Sequence, residues 1–124
     1  MIKFTIPLTP ITKKNHQQIL RNKSTGRPFV APSSQYKRYE KDAMWFIPKG
    51  KTIDYPVNVK CLFYMPTHRL CDLNGHSQSI DDIMVKAGLL ADDNYNIVAG
   101  HDGSRVLYDK DYPRTEVEIT PIGE

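Results

Sequence analysis

The hydrophobic period of this chain changes from two to between three and four across Pro66, and that change constrains the fold more than any other feature. Before it, in the stretch YPVNVKCLFYMP (residues 55–66), Val57, Val59, Cys61, Phe63 and Met65 occupy every second position. Such alternation puts them on one face of a strand, which the proline then ends. After it, Ile80, Ile83, Met84 and Ala87 recur at i, i+3, i+4 and i+7, the spacing of one buried helical stripe. Asp72 or Asn74 can cap this helix, Lys86 falls in its last turn, and Gly88 suits the left-handed position beyond it. A one-faced strand followed by a one-faced helix predicts a sheet with helices on one side.

The rest of the chain extends this frame. IKFTIPL opens as a strand, stopped by Pro7 and Pro10. Residues 13–34 are polar and basic with a turn signal at Ser24-Thr25-Gly26, so a loop or irregular hairpin is expected. In residues 34–46 Tyr36, Tyr39, Ala43 and Phe46 stand at helical spacing, predicting a short amphipathic helix. Residues 104–108 (SRVLY) and 115–119 (TEVEI) read as two closing strands joined by a turn. The expected fold is a single α+β domain over residues 1–124, with a small, mostly antiparallel or mixed sheet and two helices. Trp45 and Phe46 are candidates for a dimer contact, although core packing is the plainer expectation for both.

Charge is unevenly placed. Residues 1–51 carry eleven Lys and Arg against two acids, a net +9, whereas residues 52–124 carry six against twelve, a net −6. One half suits a polyanion and the other suits cations. The two cysteines, Cys61 and Cys71, make neither a disulfide framework nor a zinc ligand set, and both are expected as small buried groups. No apolar stretch approaches the roughly 18 residues of a membrane span. The opening residues lack the apolar run of a secretory leader. A cytoplasmic location with no membrane partner is therefore expected.

The helix-bearing segment 69–96 gathers five of the chain's fourteen acidic residues: Asp72, Asp81, Asp82, Asp92 and Asp93. Asp72 precedes the helix, Asp81 and Asp82 lie in it outside the apolar stripe, and Asp92 and Asp93 follow it in a turn. If these three groups converge, they repel one another unless a divalent cation intervenes. Mg²⁺ suits such a place because it takes a few carboxylate oxygens and keeps waters or a substrate phosphate elsewhere. Beside a basic surface, that is equipment for phosphodiester hydrolysis. The residues also have simpler roles: Asp72 as cap, Asp82 paired with Lys86 one turn on, and Asp92-Asp93-Asn94 as turn chemistry. A calcium loop at Asp92 fails, because Ile97 stands where glycine is required and Gly103 where the bidentate glutamate belongs.

The stretch DLNGHSQSIDDIMVKAGLLADD (residues 72–93) resembles the signature of RusA-type Holliday junction resolvases. There, an Asp-Leu entry leads into a helix ending Ala-Gly and then a paired Asp-Asp. The basic turn TPITKKNH and the strand end MPTHR extend the likeness. The resemblance implies a small homodimer that cuts two opposed strands of a four-way DNA junction with Mg²⁺, or with Mn²⁺ in its place. It implies Asp72 and Asp93 as metal-binding carboxylates with Asp92 beside them, and Asp82 as a further ligand or supporting acid. Asn74 stands where the best-known members carry a second essential aspartate, and can offer only a carbonyl oxygen. Gln78 stands where they carry an important lysine, and Gly75 in place of asparagine adds freedom to the metal loop. Lys13, Lys14, Arg21, Lys23, Arg27, Arg69 and Gln78 form the DNA-facing set, with Lys37, Arg38 and Lys41 able to extend it. Two alternatives fit the same residues: a branched-DNA-binding protein with weak cutting, and a non-enzymatic RNA- or protein-binding adaptor.

Overall fold

The long strand β4 (Val57–Met65) organises the molecule. The structure, a computed structural model, describes residues 1–12, 17–32 and 34–122. Val57, Val59, Cys61 and Phe63 of β4 are fully buried, as their alternation requires, and β-branched and aromatic residues suit a half-buried pleat. One edge of β4 pairs antiparallel with β7 (Arg114–Pro121), and β7 pairs antiparallel with β1 (Ile2–Ile6). The opposite edge takes two short parallel strands in succession. Its start pairs with β5 (Val98–Gly100) and its end with β6 (Arg105–Tyr108). The sheet is therefore mixed, with order β1-β7-β4 and both β5 and β6 on the far edge. A separate two-stranded ribbon joins β2 (Gln17–Arg21) to β3 (Pro28–Pro32).

The ribbon resolves the expectation for the basic stretch in favour of a hairpin. Its turn is held by Asn22, whose Oδ1 accepts from the backbone N–H groups of Ser24 and Thr25, and by Gly26 at φ 70°.

The outer face of the sheet is polar by design of its register. Lys3 of β1 and Lys60 of β4 stand on either side of Glu118 of β7, a row of opposite charges across three strands. The inner face joins Thr115, Val117 and Ile119 of β7 to the β4 residues and to the helices.

Helix α1 (Ser34–Ala43) buries Tyr36, Tyr39 and Ala43. The α-helix stops there and becomes a 3₁₀ turn over Met44–Phe46. That tighter winding breaks the 3.6 spacing. Phe46 consequently leaves the stripe and is 42% exposed, and Trp45 is 82% exposed. Core packing, the plainer expectation for both, does not hold. Helix α2 (Leu73–Lys86) follows β4, and Glu40 of α1 meets Lys86 of α2 at 2.9 Å. Asp82 also reaches Lys86, at 3.4 Å, as the i,i+4 spacing predicts.

Between β5 and β6 the edge strand breaks, and side chains replace the missing ladder bonds. Asn58 accepts from the Asp102 N–H at 2.8 Å and donates to the Asp102 carbonyl at 3.1 Å. Ser104 Oγ accepts from the Cys61 N–H at 3.0 Å. Both cysteines are free, but only Cys61 is buried; Cys71 is half-exposed, because its loop runs over the surface before α2.

Arg114, at the start of β7, is clamped on every side. It bonds Asp109 and Glu116 at 2.8 Å each, and its guanidinium lies over the Tyr64 ring at 3.8 Å and the Tyr112 ring at 4.7 Å. Its proximity holds the half-exposed Asp109 carboxyl below the usual carboxylate range. Lysine offers neither the planar fork nor the stacking face. Arg114→Lys is expected to lower stability by roughly 1 kcal/mol in urea unfolding.

Candidate active site

Helix α2 begins where the chain leaves β4, and Asp72 is its N-cap. The Asp72 backbone is extended, and its Oδ1 accepts from the Asn74 N–H at 3.1 Å, satisfying one of the free donors of the first turn. The residue is exposed, so its carboxylate is both fixed and open to solvent. The second oxygen, Oδ2, lies 3.6 Å from the position a Gly75 side chain would take, and Thr12 Cγ2 lies 3.7 Å from the same point. Gly75 is buried inside α2. Those are ordinary contact distances, so the packing of helix, cap and Thr12 does not itself demand glycine, and the position lies in the helix and not in a free loop.

Thr12 also lines a cleft of about 570 Å³, together with Thr9, Gln35, Arg69, Cys71 and His76. The cleft lies between the segment after β1, the start of α1 and the loop leading into α2, and so it ends beside Asp72. On its floor His76 is buried, its ring 5.0 Å from that of Phe63. On the rim of the cleft Leu70 is completely exposed. Nearby, His68 stacks on Tyr108 with ring centroids 3.8 Å apart.

The other acids occupy different settings. Asp92 and Asp93 are exposed in the turn between α2 and β5. Both Asp92 oxygens are used within that turn, Oδ1 accepting from the Asp93 N–H at 2.7 Å and Oδ2 from the Asn94 amide at 3.1 Å. Asn74 and Gln78 are exposed on α2, while Asp82 is half-exposed beside Lys86. Among the described residues no three His, Cys, Asp or Glu side chains stand together closely enough to hold a metal ion. Arg21, Lys23 and Arg27 are exposed on the β2–β3 ribbon, with Arg21 bonded to the Gly26 carbonyl at 3.0 Å. Arg69 is exposed at the cleft. Lys13 and Lys14 lie outside the described residues.

Two groups escaped the sequence reading. Asp81, expected to lie outside the apolar stripe, is buried with its side chain 6% exposed, and its Oδ2 stands 2.6 Å from His101 Nε2. The available signal was a second buried row, Ser77, Asp81 and Met84, at i, i+4 and i+7 on α2. His101, in the break between β5 and β6, gave no signal, because only the fold brings it to α2. Burial pushes the Asp81 carboxyl above its usual range, the His101 contact opposes that, and the charge of Asp93 adds to the rise. The bond to Asp81 raises the His101 imidazole in turn, against its partial burial. Both shifts favour a proton held between Nε2 and Oδ2. A group whose folded pKa is raised stabilises fully below its unfolded value and loses that contribution as pH rises through the folded one. Thermal stability should therefore decline as pH is raised past the ordinary imidazole value of 6.5, and His101→Gln should flatten the decline.

No family model matches the chain. It is 30% identical over 96 residues to the crossover junction endodeoxyribonuclease RusA of Aquifex aeolicus, a match covering 75% of this chain and 72% of that protein. The chain belongs to the RusA family. In this RusA-family chain the capped Asp72 and the exposed Asp92-Asp93 turn fall within one strand–helix–strand unit, β4-α2-β5, and the cleft runs between that unit, the segment after β1 and the start of α1. No helix among its described residues is long and apolar enough to cross a membrane.

Proposed function

We propose that the chain is a structure-selective DNA endonuclease that resolves four-way junctions by paired nicks, working as a homodimer with Mg²⁺ or Mn²⁺. The observation that carries this reading is Asp72: a carboxylate fixed as a helix cap, exposed, and set at the end of a 570 Å³ cleft in a RusA-family chain. The exposed carboxylates of Asp72 and Asp93 and the Asn74 carbonyl are the right donors for magnesium. An ion that takes one or two carboxylates and fills its remaining positions with water and substrate phosphate does not need three protein acids gathered beforehand. When bound, it supplies an activated water and offsets charge on the phosphate.

The chain's own residues do the rest. Arg21, Lys23 and Arg27 on the ribbon, and Arg69 at the cleft, are exposed cations placed to hold phosphates without reading sequence. The Asp72 cap keeps one carboxylate oxygen fixed on the backbone, so the group is oriented before DNA arrives. A homodimer would match the two-fold symmetry of a junction, since paired nicks need paired sites.

Asn74 and Gln78 favour a second reading, a branched-DNA-binding protein that cuts weakly, because they replace an acid and a base of the family pattern with neutral amides. Labelled four-way junction and linear duplex, incubated with Mg²⁺ or Mn²⁺, separate the two. Paired nicks on the junction support the resolvase; tight junction binding without nicks supports the binding protein. No preference for the junction would sink both.

A further inference from the structure

Asp81 is the one acid among the described residues that is buried. A carboxylate there is costly, and an apolar residue would pack on the sheet at least as well. Its Oδ1 has no hydrogen-bond partner, while Oδ2 meets His101 Nε2 at 2.6 Å. The arrangement makes sense as a means of holding His101.

His101 follows Ile97 and Val98, which are buried in the core shared with α2, and the Val57 N–H bonds the Ile97 carbonyl at 2.8 Å. Among the described residues no hydrogen bond other than that of His101 ties this segment to α2. Downstream, residues 102–104 are fixed to β4 through Asn58 and Ser104. Upstream, Ala91 is tied to Ile53, and the turn Asp92–Asn96 is exposed and bonded largely to itself. Between these anchors, β5 is three residues long and matches β4 at only two positions, with an irregular register. So short a strand contributes few ladder bonds, and the segment is held chiefly by the buried Ile97 and Val98. The Asp81–His101 bond adds a direct polar tie from this segment to the helix that Asp72 caps. Asp93 lies close enough for its charge to act on Asp81.

We infer that His101 is a positioning residue: through its bond to Asp81 it braces segment 91–101 on α2 and so sets where the Asp93 carboxylate stands relative to Asp72. This deepens the endonuclease reading and rests on it. Partners that orient reacting carboxylates are worth about 10- to 100-fold in activity or metal affinity.

The test compares wild type, His101→Ala and His101→Gln, the last keeping an N–H donor near the place of Nε2. Single-turnover cleavage of a four-way junction in Mg²⁺ is measured beside junction binding in Ca²⁺ and amide hydrogen exchange. His101→Ala should cut at least about tenfold more slowly, bind the junction as wild type does, and exchange faster at residues 92–98. His101→Gln should recover most of the rate and the protection. Wild-type cleavage by His101→Ala, or unchanged exchange at 92–98, overturns the inference. So does an equal loss in His101→Gln, which would make the bulk of the ring the cause. If wild type itself leaves junctions uncut, the endonuclease reading fails separately, and the exchange comparison decides on the brace alone.

Discussion

Asp72→Asn should slow junction cleavage by at least about 100-fold, since losing a reacting carboxylate should exceed the 10- to 100-fold cost of losing a group that orients one. Asparagine caps a helix as well as aspartate does, so the bond to the Asn74 N–H survives and the fold is unchanged. The substitution therefore removes charge without removing structure. Asp72→Ala behaves differently: it loses the cap as well and should cost about 1 kcal/mol of stability. Cleavage of a labelled junction in Mg²⁺, read beside a thermal melt, distinguishes the two effects. If Asp72→Asn cuts at the wild-type rate, the carboxylate takes no part in the reaction and the proposed mechanism loses its central residue.

Phe63→Ala should be the most damaging of the single substitutions to the fold itself. Phe63 is fully buried on β4, with its ring 5.0 Å from that of His76 in the first turn of α2. Truncating a buried phenylalanine typically costs about 3–5 kcal/mol, the transfer term plus the cavity left behind. Domains of this kind have only about 5–15 kcal/mol in total. Phe63→Leu, closer in volume, should cost less than about 1.5 kcal/mol. Urea unfolding of the three proteins measures both differences. A loss below about 1 kcal/mol in Phe63→Ala would mean that the contact between β4 and α2 is slack, and that Asp72 is not held by it.

The elements legible in the sequence were those whose periodicity is carried by neighbouring residues. The alternation of Val57 to Phe63 marked β4, and Ile80, Ile83 and Met84 marked α2, with Asp72 at its start and Gly88 at φ 85° past its end. What stayed hidden depends on distant partners. β5 is too short to show a period, and nothing local announces that β5 and β6 lie parallel along one edge of β4. At the site, the order of Asp72, Asn74, Asp82, Asp92 and Asp93 was readable, and so was the cap. The burial of Asp81 had only the faint signal of its row with Ser77 and Met84, and its partner His101, twenty residues away, had none. The stripe in α1 was readable up to Ala43; it misled at Phe46 because the winding changes there.

The place of β7 in the sheet has a consequence for how the molecule is made. Among the described residues β7 is the last strand in chain order, yet it lies between β1 and β4, with Ile2 opposite Ile119. β1 is synthesised more than a hundred residues before the strand that pairs with it. The early half of the chain, including β4 with one edge unfilled, would then be held open during synthesis, and closure of the sheet would be a late, long-range event. A nascent chain stalled before residue 114 should accordingly be sensitive to protease and dependent on chaperones, and release of the final strand should convert it in one step.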